Sequence, residues 1–128
     1  GGIQGSVTKY QWRGIWRPDV WVWQILGLPD IRIAKAKLTP AYELVSMINE
    51  QMWLGHFEIW SNGGVLLYRN ATILGDDGML SLGQAQALVE IAVDECDRFY
   101  PAFQFVLWGG RTPSEALEAA MVDAVGEA

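Results

Sequence analysis

Cysteine and histidine are scarce in this sequence, with one of each among 128 residues, and this scarcity excludes several kinds of site. A single cysteine cannot form a disulfide within the chain. We therefore expect Cys96 to be a small buried residue of a helix, and the protein to belong to a reducing compartment, the cytoplasm. A single histidine, His56, excludes a histidine-rich metal site. The sequence predicts no metal and no cofactor.

Positive charge and long apolar runs are also scarce. Nine basic residues stand against fifteen acidic ones, and the net charge of −6 repels phosphate backbones and anionic lipid surfaces. The longest apolar stretch, around residues 103–108, is far below the roughly 18 residues of a membrane span. No charged and then apolar leader begins the sequence. We expect neither nucleic acid nor a membrane among the partners.

Hydrophobic residues, in contrast, make up 51% of the chain, far more than a disordered segment carries. A chain of 128 residues suits one domain and is long enough to bury a core without disulfides or a structural metal. We expect residues 1–128 to form a single domain.

Two segments, residues 5–17 and 20–28, are rich in β-branched and aromatic residues and predict a hairpin around an Arg-Pro-Asp turn. The period of two along a strand, together with a four-residue loop, fixes which residues lie opposite each other. The predicted pairs include Trp16 with Trp21 and Gly14 with Trp23. The glycine then leaves room for the indole of Trp23.

Four of the seven tryptophans share one face of this predicted hairpin: Trp12, Trp16, Trp21 and Trp23. One interpretation is a core face covered by helices. The other is a surface that binds a second copy or a client polypeptide, because tryptophan is enriched at binding hot spots. The opposite face of the hairpin also carries apolar residues. At least one of the two faces must therefore be covered by protein rather than by water alone. These four tryptophans are the candidate partner-binding residues, and we expect a homodimer.

Further elements follow at helix and strand spacing. Residues 31–37 predict a third strand, at a sheet edge guarded by lysines. Thr39 is then the predicted N-cap of a helix with Pro40 at its first position and Gly55 at its end. Two more strands, joined by an Asn-Gly turn signal, are predicted at residues 56–60 and 65–74. The loop at residues 75–78 has too few oxygen ligands for calcium, so we interpret it as a turn.

The last third of the sequence is predominantly helical in pattern. Ser81 and Gln84 form a capping-box signal, and Pro101 either kinks this helix or starts a new one. Residues 102–108 fit a buried helix or a buried strand, and Trp108 is predicted to be buried. After two glycines, residues 112–115 form a second capping box for a final helix.

The sequence offers little for catalysis. It contains no nucleophile elbow, dinucleotide-binding or phosphate-loop motif. A dyad of Cys96 and His56 would require the two to meet in space, and packing explains both better. We therefore expect no enzyme. The alternative is a small-molecule-binding protein or hydrolase with a pocket near His56, Glu58 and the tryptophan-rich sheet face.

Three segments, residues 48–60, 67–74 and 99–128, resemble the YbjN family of small bacterial proteins, which share a fold with the type III secretion chaperones. The resemblance is close over residues 48–128 and general over residues 5–49. It implies that residues 102–108 are helical. Members usually begin with a helix before the first strand, and no such helical pattern occurs here.

The resemblance also implies a function. Relatives with this fold form a curved antiparallel sheet packed on helices, often as dimers that hold partner polypeptides, and the family is linked to sensory transduction and motility regulation. It supplies no catalytic residue. We therefore expect an α+β domain, with an antiparallel sheet of about five strands and three main helices, that acts as a non-enzymatic regulatory or chaperone-like protein.

Overall fold

The computed structural model describes residues 2–7 and 9–126 and shows an α+β arrangement of one antiparallel sheet and three helices. The predicted class, with five strands and three main helices, is confirmed. The strands are β1 (Gly2–Val7), β2 (Tyr10–Arg17), β3 (Val22–Leu28), β4 (His56–Ile59) and β5 (Leu66–Ile73), and the helices are α1 (Leu38–Gln51), α2 (Leu82–Leu107) and α3 (Pro113–Gly126). Their order across the sheet is β1-β2-β3-β5-β4.

The sequence predicts one strand over residues 5–17, and this prediction is wrong. β1 and β2 form a hairpin of their own, in which Val7 pairs with Tyr10. Gly5 lies opposite Trp12, and a Cβ atom at Gly5 would lie 2.7 Å from the Trp12 ring. The alternation of side chains continues through both strands, so it does not reveal the turn between them.

The β2–β3 hairpin also differs from its prediction. Trp16 pairs with Trp23 rather than with Trp21, and Gly14 pairs with Ile25. This is a shift of two residues, which preserves the alternation of faces, so Trp16 and Trp23 still share one face with Trp12. The loop has the predicted four residues but lies one residue further along the chain, at residues 18–21, so that Trp21 is in the turn, with a φ of 58°.

Gly14 has the predicted role even though the register is shifted. The indole of Trp23 packs diagonally across the strand pair over Gly14, where a Cβ atom would lie 2.6 Å from its Cζ2 atom. Diagonal neighbours in a sheet are within reach of aromatic side chains. The missing side chain at Gly14 therefore allows Trp23 to lie flat and buried.

The predicted third strand, residues 31–37, is also wrong. After β3 the chain turns at Asp30, which has a φ of 60°, and rejoins the sheet through one bridge between Arg32 and Val65. Residues Lys35–Lys37 form a 3-10 turn. Ile31 is 2% exposed, so its place in the alternating pattern reflects anchoring to the core rather than a strand.

The start of α1 differs by a few residues from the sequence prediction. The helix begins at Leu38, and its N-cap is Lys37, which makes no side-chain cap hydrogen bond. Thr39 is therefore inside the helix rather than its cap. Pro40 lies in the first turn of α1. Backbone N–H groups in the first turn have no carbonyl partner within the helix, so a proline there loses no hydrogen bond.

The last two helices begin as the sequence predicts. At α2, Ser81 and Gln84 exchange both hydrogen bonds of a capping box. At α3, the N–H of Glu115 donates to Thr112 at 3.2 Å, and the N–H of Thr112 donates to the Glu115 carboxylate at 3.0 Å. None of the helices in the described part of the chain is long and apolar enough to cross a membrane.

α2 continues unbroken through Pro101, so the helical alternative for residues 102–108 is the correct one. The helix ends at Leu107, and the chain turns at Gly110, which has a φ of 67°. The prediction that Trp108 is buried is wrong. Trp108 is the C-cap of α2 and is 63% exposed. Replacing it is therefore expected to affect stability little.

The hydrophobic core lies between the helices and one face of the sheet. The ring of Phe57 contacts those of Tyr68 and Phe99, with centroid distances of 5.6 and 5.9 Å. The Tyr10 hydroxyl donates to the Asp97 carboxylate at 3.0 Å, which ties β2 to α2. This hydrogen bond and burial, with burial the larger cause, raise the pKa of Tyr10 above its usual range.

The other face of the sheet carries no helix, yet its central apolar residues are buried. Leu26 is 3% exposed and Leu67 is fully buried. Their neighbours in register on this face are long polar residues, Arg69 beside Leu26 and Glu58 beside Leu67. Such side chains can cover apolar surface with their aliphatic parts. The open face therefore does not require a partner to bury these leucines.

We predict that Gly14→Ala destabilises the fold, because the new Cβ atom would lie 2.6 Å from the Trp23 ring. The expected cost is about 1–3 kcal/mol, as for overpacking a core. The matched control is Gly83→Ala, near the start of α2, where a Cβ atom meets nothing within 4 Å. It should be neutral or stabilise by up to about 1 kcal/mol. Urea unfolding measures both, and equal effects would contradict the packing described here.

Candidate functional site

An aromatic cleft of about 450 Å³ opens at the end of the sheet, where the β2–β3 turn meets the loop that follows β5. Its walls are predominantly apolar. They are formed by Trp16, Pro18, Trp21, Trp23, Leu74, Gly78 and Leu80. Three of the four predicted partner-binding tryptophans therefore converge on one feature.

The strand pairing places Trp16 and Trp23 in this cleft. They lie directly opposite each other, and their rings stack with centroids 5.5 Å apart and planes 8° apart. Trp23 is 9% exposed and belongs to the core, whereas Trp16 is 36% exposed. The pair therefore forms a rigid apolar wall that extends from the core to the surface.

The turn places Trp21 at the mouth of the cleft. Its backbone has a φ of 58°, which is uncommon for a bulky residue, and its carbonyl accepts the N–H of Leu74 at 2.8 Å. A Cβ atom at Gly78 would lie 3.4 Å from the Trp21 ring. These contacts join the hairpin to the loop after β5 and leave Trp21 48% exposed.

Trp12 lies on the same sheet face but outside the cleft. It is half-buried and packs over Gly5 of the neighbouring strand. Pro18, Leu74, Gly78 and Leu80 also line the cleft, and none of them was predicted as a site residue. No local signal identifies them, because the cleft exists only where β5 pairs with β3 and brings its following loop beside the hairpin turn.

The rim of the aromatic cleft is apolar with acidic flanks. Two exposed apolar side chains lie close to its lining residues in the chain: Met79, between Gly78 and Leu80, is 69% exposed, and Leu82 is 76% exposed. Ile73, 79% exposed, lies in register with Val22 on the open face of the sheet. The adjacent loop carries Asp76 and Asp77. The nearby cation, Arg17, is already paired with Asp19 at 3.0 Å. An apolar patch with this charge suits a partner with basic residues.

The loop after β5 is the predicted turn. The N–H of Gly78 donates to the carbonyl of Gly75 at 2.8 Å, and the Asp77 carboxylate accepts the N–H of Met79 at 3.0 Å. An aspartate that bonds to the backbone two residues later is typical of turn chemistry. In the described part of the chain no group of three or more potential metal ligands occurs.

A separate hydrogen-bonded cluster surrounds Glu58 on the open face of the sheet. One carboxylate oxygen lies 2.7 Å from Nε of Arg69 and 2.8 Å from Nε2 of His56. The other accepts from Arg69 at 3.1 Å and from the indole N–H of Trp60 at 3.0 Å. These hydrogen bonds, with that from Arg69 the strongest, lower the pKa of Glu58 to about 2. Glu58 is therefore charged at neutral pH.

The structure does not bring this cluster to the tryptophans. His56 lies in register with Arg69, on the face opposite to Trp23. The pocket considered as the alternative, with His56, Glu58 and the tryptophan-rich face together, is therefore not formed. Cys96 lies on the helix-covered side, where its Sγ atom would be 3.1 Å from a Cβ atom at Gly27. Burial raises the pKa of the Cys96 thiol to about 12, so the thiol stays protonated.

The family model for YbjN, described as "Putative bacterial sensory transduction regulator", matches residues 1–105. The match includes residues 1–47, where the sequence alone indicates only a general resemblance, and it ends within α2, before α3. No curated protein and no solved structure matches the chain. The likeness to type III secretion chaperones therefore stays a prediction.

We predict that the pairing of Glu58 with Arg69 stabilises the fold at neutral pH and is lost in acid. The folded pKa of Glu58, about 2, lies below its ordinary value of 4.5. The stabilisation is therefore present above pH 4.5 and is lost as the pH falls from there towards 2. A double-mutant cycle of Glu58→Gln and Arg69→Gln in urea should give a coupling of about 1–2 kcal/mol at neutral pH. Most of this coupling should be gone near pH 2.5, and a coupling independent of pH would contradict the prediction.

Proposed function

The chain belongs to the YbjN family, and we propose that it is a non-enzymatic regulator or chaperone-like protein that binds a segment of another polypeptide in the aromatic cleft. The observation that carries this proposal is the convergence of Trp16, Trp21 and Trp23 beneath an exposed apolar rim. Tryptophans in partly closed apolar pockets are the residues that most often dominate the energy of protein interfaces. The free, buried thiol of Cys96 fits a reducing compartment, and we place the protein in the cytoplasm.

The chemistry of the rim indicates the kind of segment that fits. The walls offer apolar and aromatic contact, which suits an apolar or proline-containing anchor. The flanking Asp76 and Asp77 favour basic residues beside that anchor. We therefore propose a partner segment with one apolar anchor and neighbouring lysine or arginine.

A polypeptide is favoured over the small-molecule alternative by the surroundings of the cleft. The polar cluster around Glu58 lies on the opposite face of the sheet and cannot supply polar groups to a ligand beside the tryptophans. The apolar surface also continues beyond the cleft at the exposed Met79 and Leu82, which follow the lining residues Gly78 and Leu80 in the chain. An apolar surface that extends beyond the cleft can contact several residues of a polypeptide, whereas a small ligand would contact the cleft alone.

We predict that random linear peptides selected on the wild-type protein share an apolar anchor with adjacent basic residues. Trp21→Ala should weaken their binding by about 2 kcal/mol, roughly 30-fold, as for a hot spot. Because Trp21 is half-exposed, the variant should remain folded. Binding should also weaken with added salt, since basic residues contribute. Isothermal titration of the selected peptides measures both effects.

The matched control for this experiment is Trp53→Ala. Trp53 is 98% exposed and does not line the aromatic cleft. It should leave peptide binding unchanged. The proposal would be contradicted by selected peptides that bind Trp21→Ala as tightly as the wild type, or that depend on Trp53 instead.

We also propose that the protein is a homodimer, paired through the edge strand β1. Within the described residues β1 lies at one edge of the sheet, and its sequence, Gly2–Val7, contains no charged residue and no proline. Edge strands are normally guarded by such residues, because their free N–H and C=O groups can pair with another chain. An unguarded edge is therefore a suitable surface for a second copy.

We predict that light scattering at tens of micromolar protein gives twice the mass of the chain, and that Gln4→Lys shifts it towards the monomer. Gln4 is exposed on β1, and a lysine there places a like charge on both sides of the proposed junction. Gln86→Lys, an exposed position on α2, is the control with the same charge change. A wild-type monomer, or equal effects of both variants, would contradict pairing through β1.

A further inference from the structure

Charge is unevenly distributed between the two sides of the molecule. Within α1, α2 and α3 Arg98 is the only basic residue, whereas the acidic residues there are Glu43, Glu50, Glu90, Asp94, Glu95, Asp97, Glu115, Glu118 and Asp123. The strands carry Arg13, Arg17 and Arg69 against the single carboxylate of Glu58. The open face of the sheet is therefore basic, although the net charge of the whole chain is −6.

A second cleft, the basic cleft, lies on this open face and has a volume of about 370 Å³. Its charged lining residues are Lys9, Arg13, Arg32 and Asp30. The ammonium group of Lys9 lies over the rings of Tyr10 and Tyr100, 5.3 and 4.5 Å from their centroids. The floor of the basic cleft is apolar, and Trp60 forms one wall. The free cations of the lining are therefore its two arginines, and the volume falls within the range of small-molecule sites.

The two arginines of the basic cleft have no anionic partner. Among the described residues neither Arg13 nor Arg32 forms an ion pair or a side-chain hydrogen bond, although both are exposed. The other four arginine side chains are occupied: Arg17, Arg69 and Arg98 pair with carboxylates, and Arg111 stacks on Phe105. Two free guanidinium groups beside one cleft can form forked hydrogen bonds to one phosphate group.

The aromatic wall of the basic cleft is held in place. The indole N–H of Trp60 donates to Glu58 at 3.0 Å, and Glu58 is itself held by Arg69 at 2.7 Å. Trp60 is 39% exposed, so part of its ring is available for contact. An aromatic side chain of this kind stacks on the face of a nucleobase.

We propose that the basic cleft binds a nucleoside phosphate, with the phosphate between Arg13 and Arg32 and the base against Trp60. The charges of the two arginines match that of a phosphate monoester, about −1.5 to −2 at neutral pH. Asp30 can accept a hydrogen bond from a ribose hydroxyl. This site is on the face opposite to Trp23 and is independent of the proposed binding of a polypeptide.

The test is isothermal titration of the intact protein with adenosine, guanosine, cytidine and uridine monophosphates, with the nucleosides, and with inorganic phosphate. We expect at least one monophosphate to bind below about 1 mM, more tightly than its nucleoside or phosphate alone. Arg13→Gln and Arg32→Gln should each weaken that binding by about tenfold or more, the usual effect of losing a charged hydrogen bond. Lysine at either position should restore part of it.

Two further variants separate this site from general electrostatics and from folding. Arg17→Gln removes the same charge from the same strand outside the basic cleft and should leave binding unchanged. Trp60→Leu should weaken binding of the nucleotide and not that of phosphate. Unfolding curves confirm that each variant is folded. The proposal is overturned if no monophosphate binds, if Arg17→Gln acts like Arg13→Gln, or if an acidic decapeptide competes more tightly than every nucleotide.

Discussion

Close packing of indole rings over glycines is the interaction on which the sheet depends. Trp12 lies over Gly5, and Trp23 lies over Gly14, each at a distance that leaves no room for a Cβ atom. Gly27 similarly allows α2 to approach β3. Because these contacts set how the first three strands pair and how near the long helix lies, they also determine where the aromatic cleft opens.

The two faces of the sheet achieve burial by different means. One face is covered by helices and holds the aromatic core. The other buries Leu26 and Leu67 beside long polar side chains joined by the hydrogen bonds of Glu58 and Arg69. This second arrangement leaves charged side chains on the open face and holds them in place by hydrogen bonds. Because the central apolar residues of both faces are already buried, each face can present its own binding surface.

The family match covers the part of the chain that forms the sheet and both clefts. The matched residues, 1–105, contain all five strands and every lining residue of both clefts. The groove between α1 and α3, lined in part by Met121 and Val122, lies partly outside the matched residues. The features that we connect with function therefore lie in the matched part of the chain, and α3, which packs against α1 and α2, lies outside it.

The sequence by itself determined the local features of this protein. Capping boxes at Ser81 and Thr112 and the shared face of Trp12, Trp16 and Trp23 depend on residues close together in the chain or on the period of two. Only the tertiary structure decided the register, the role of residues 31–37 and the exposure of Trp108. A shift of two residues in register leaves every side chain on the same face of the sheet, and the burial of a residue depends on which distant segments pack against it. Neither the register nor the burial is therefore determined by neighbouring residues in the sequence.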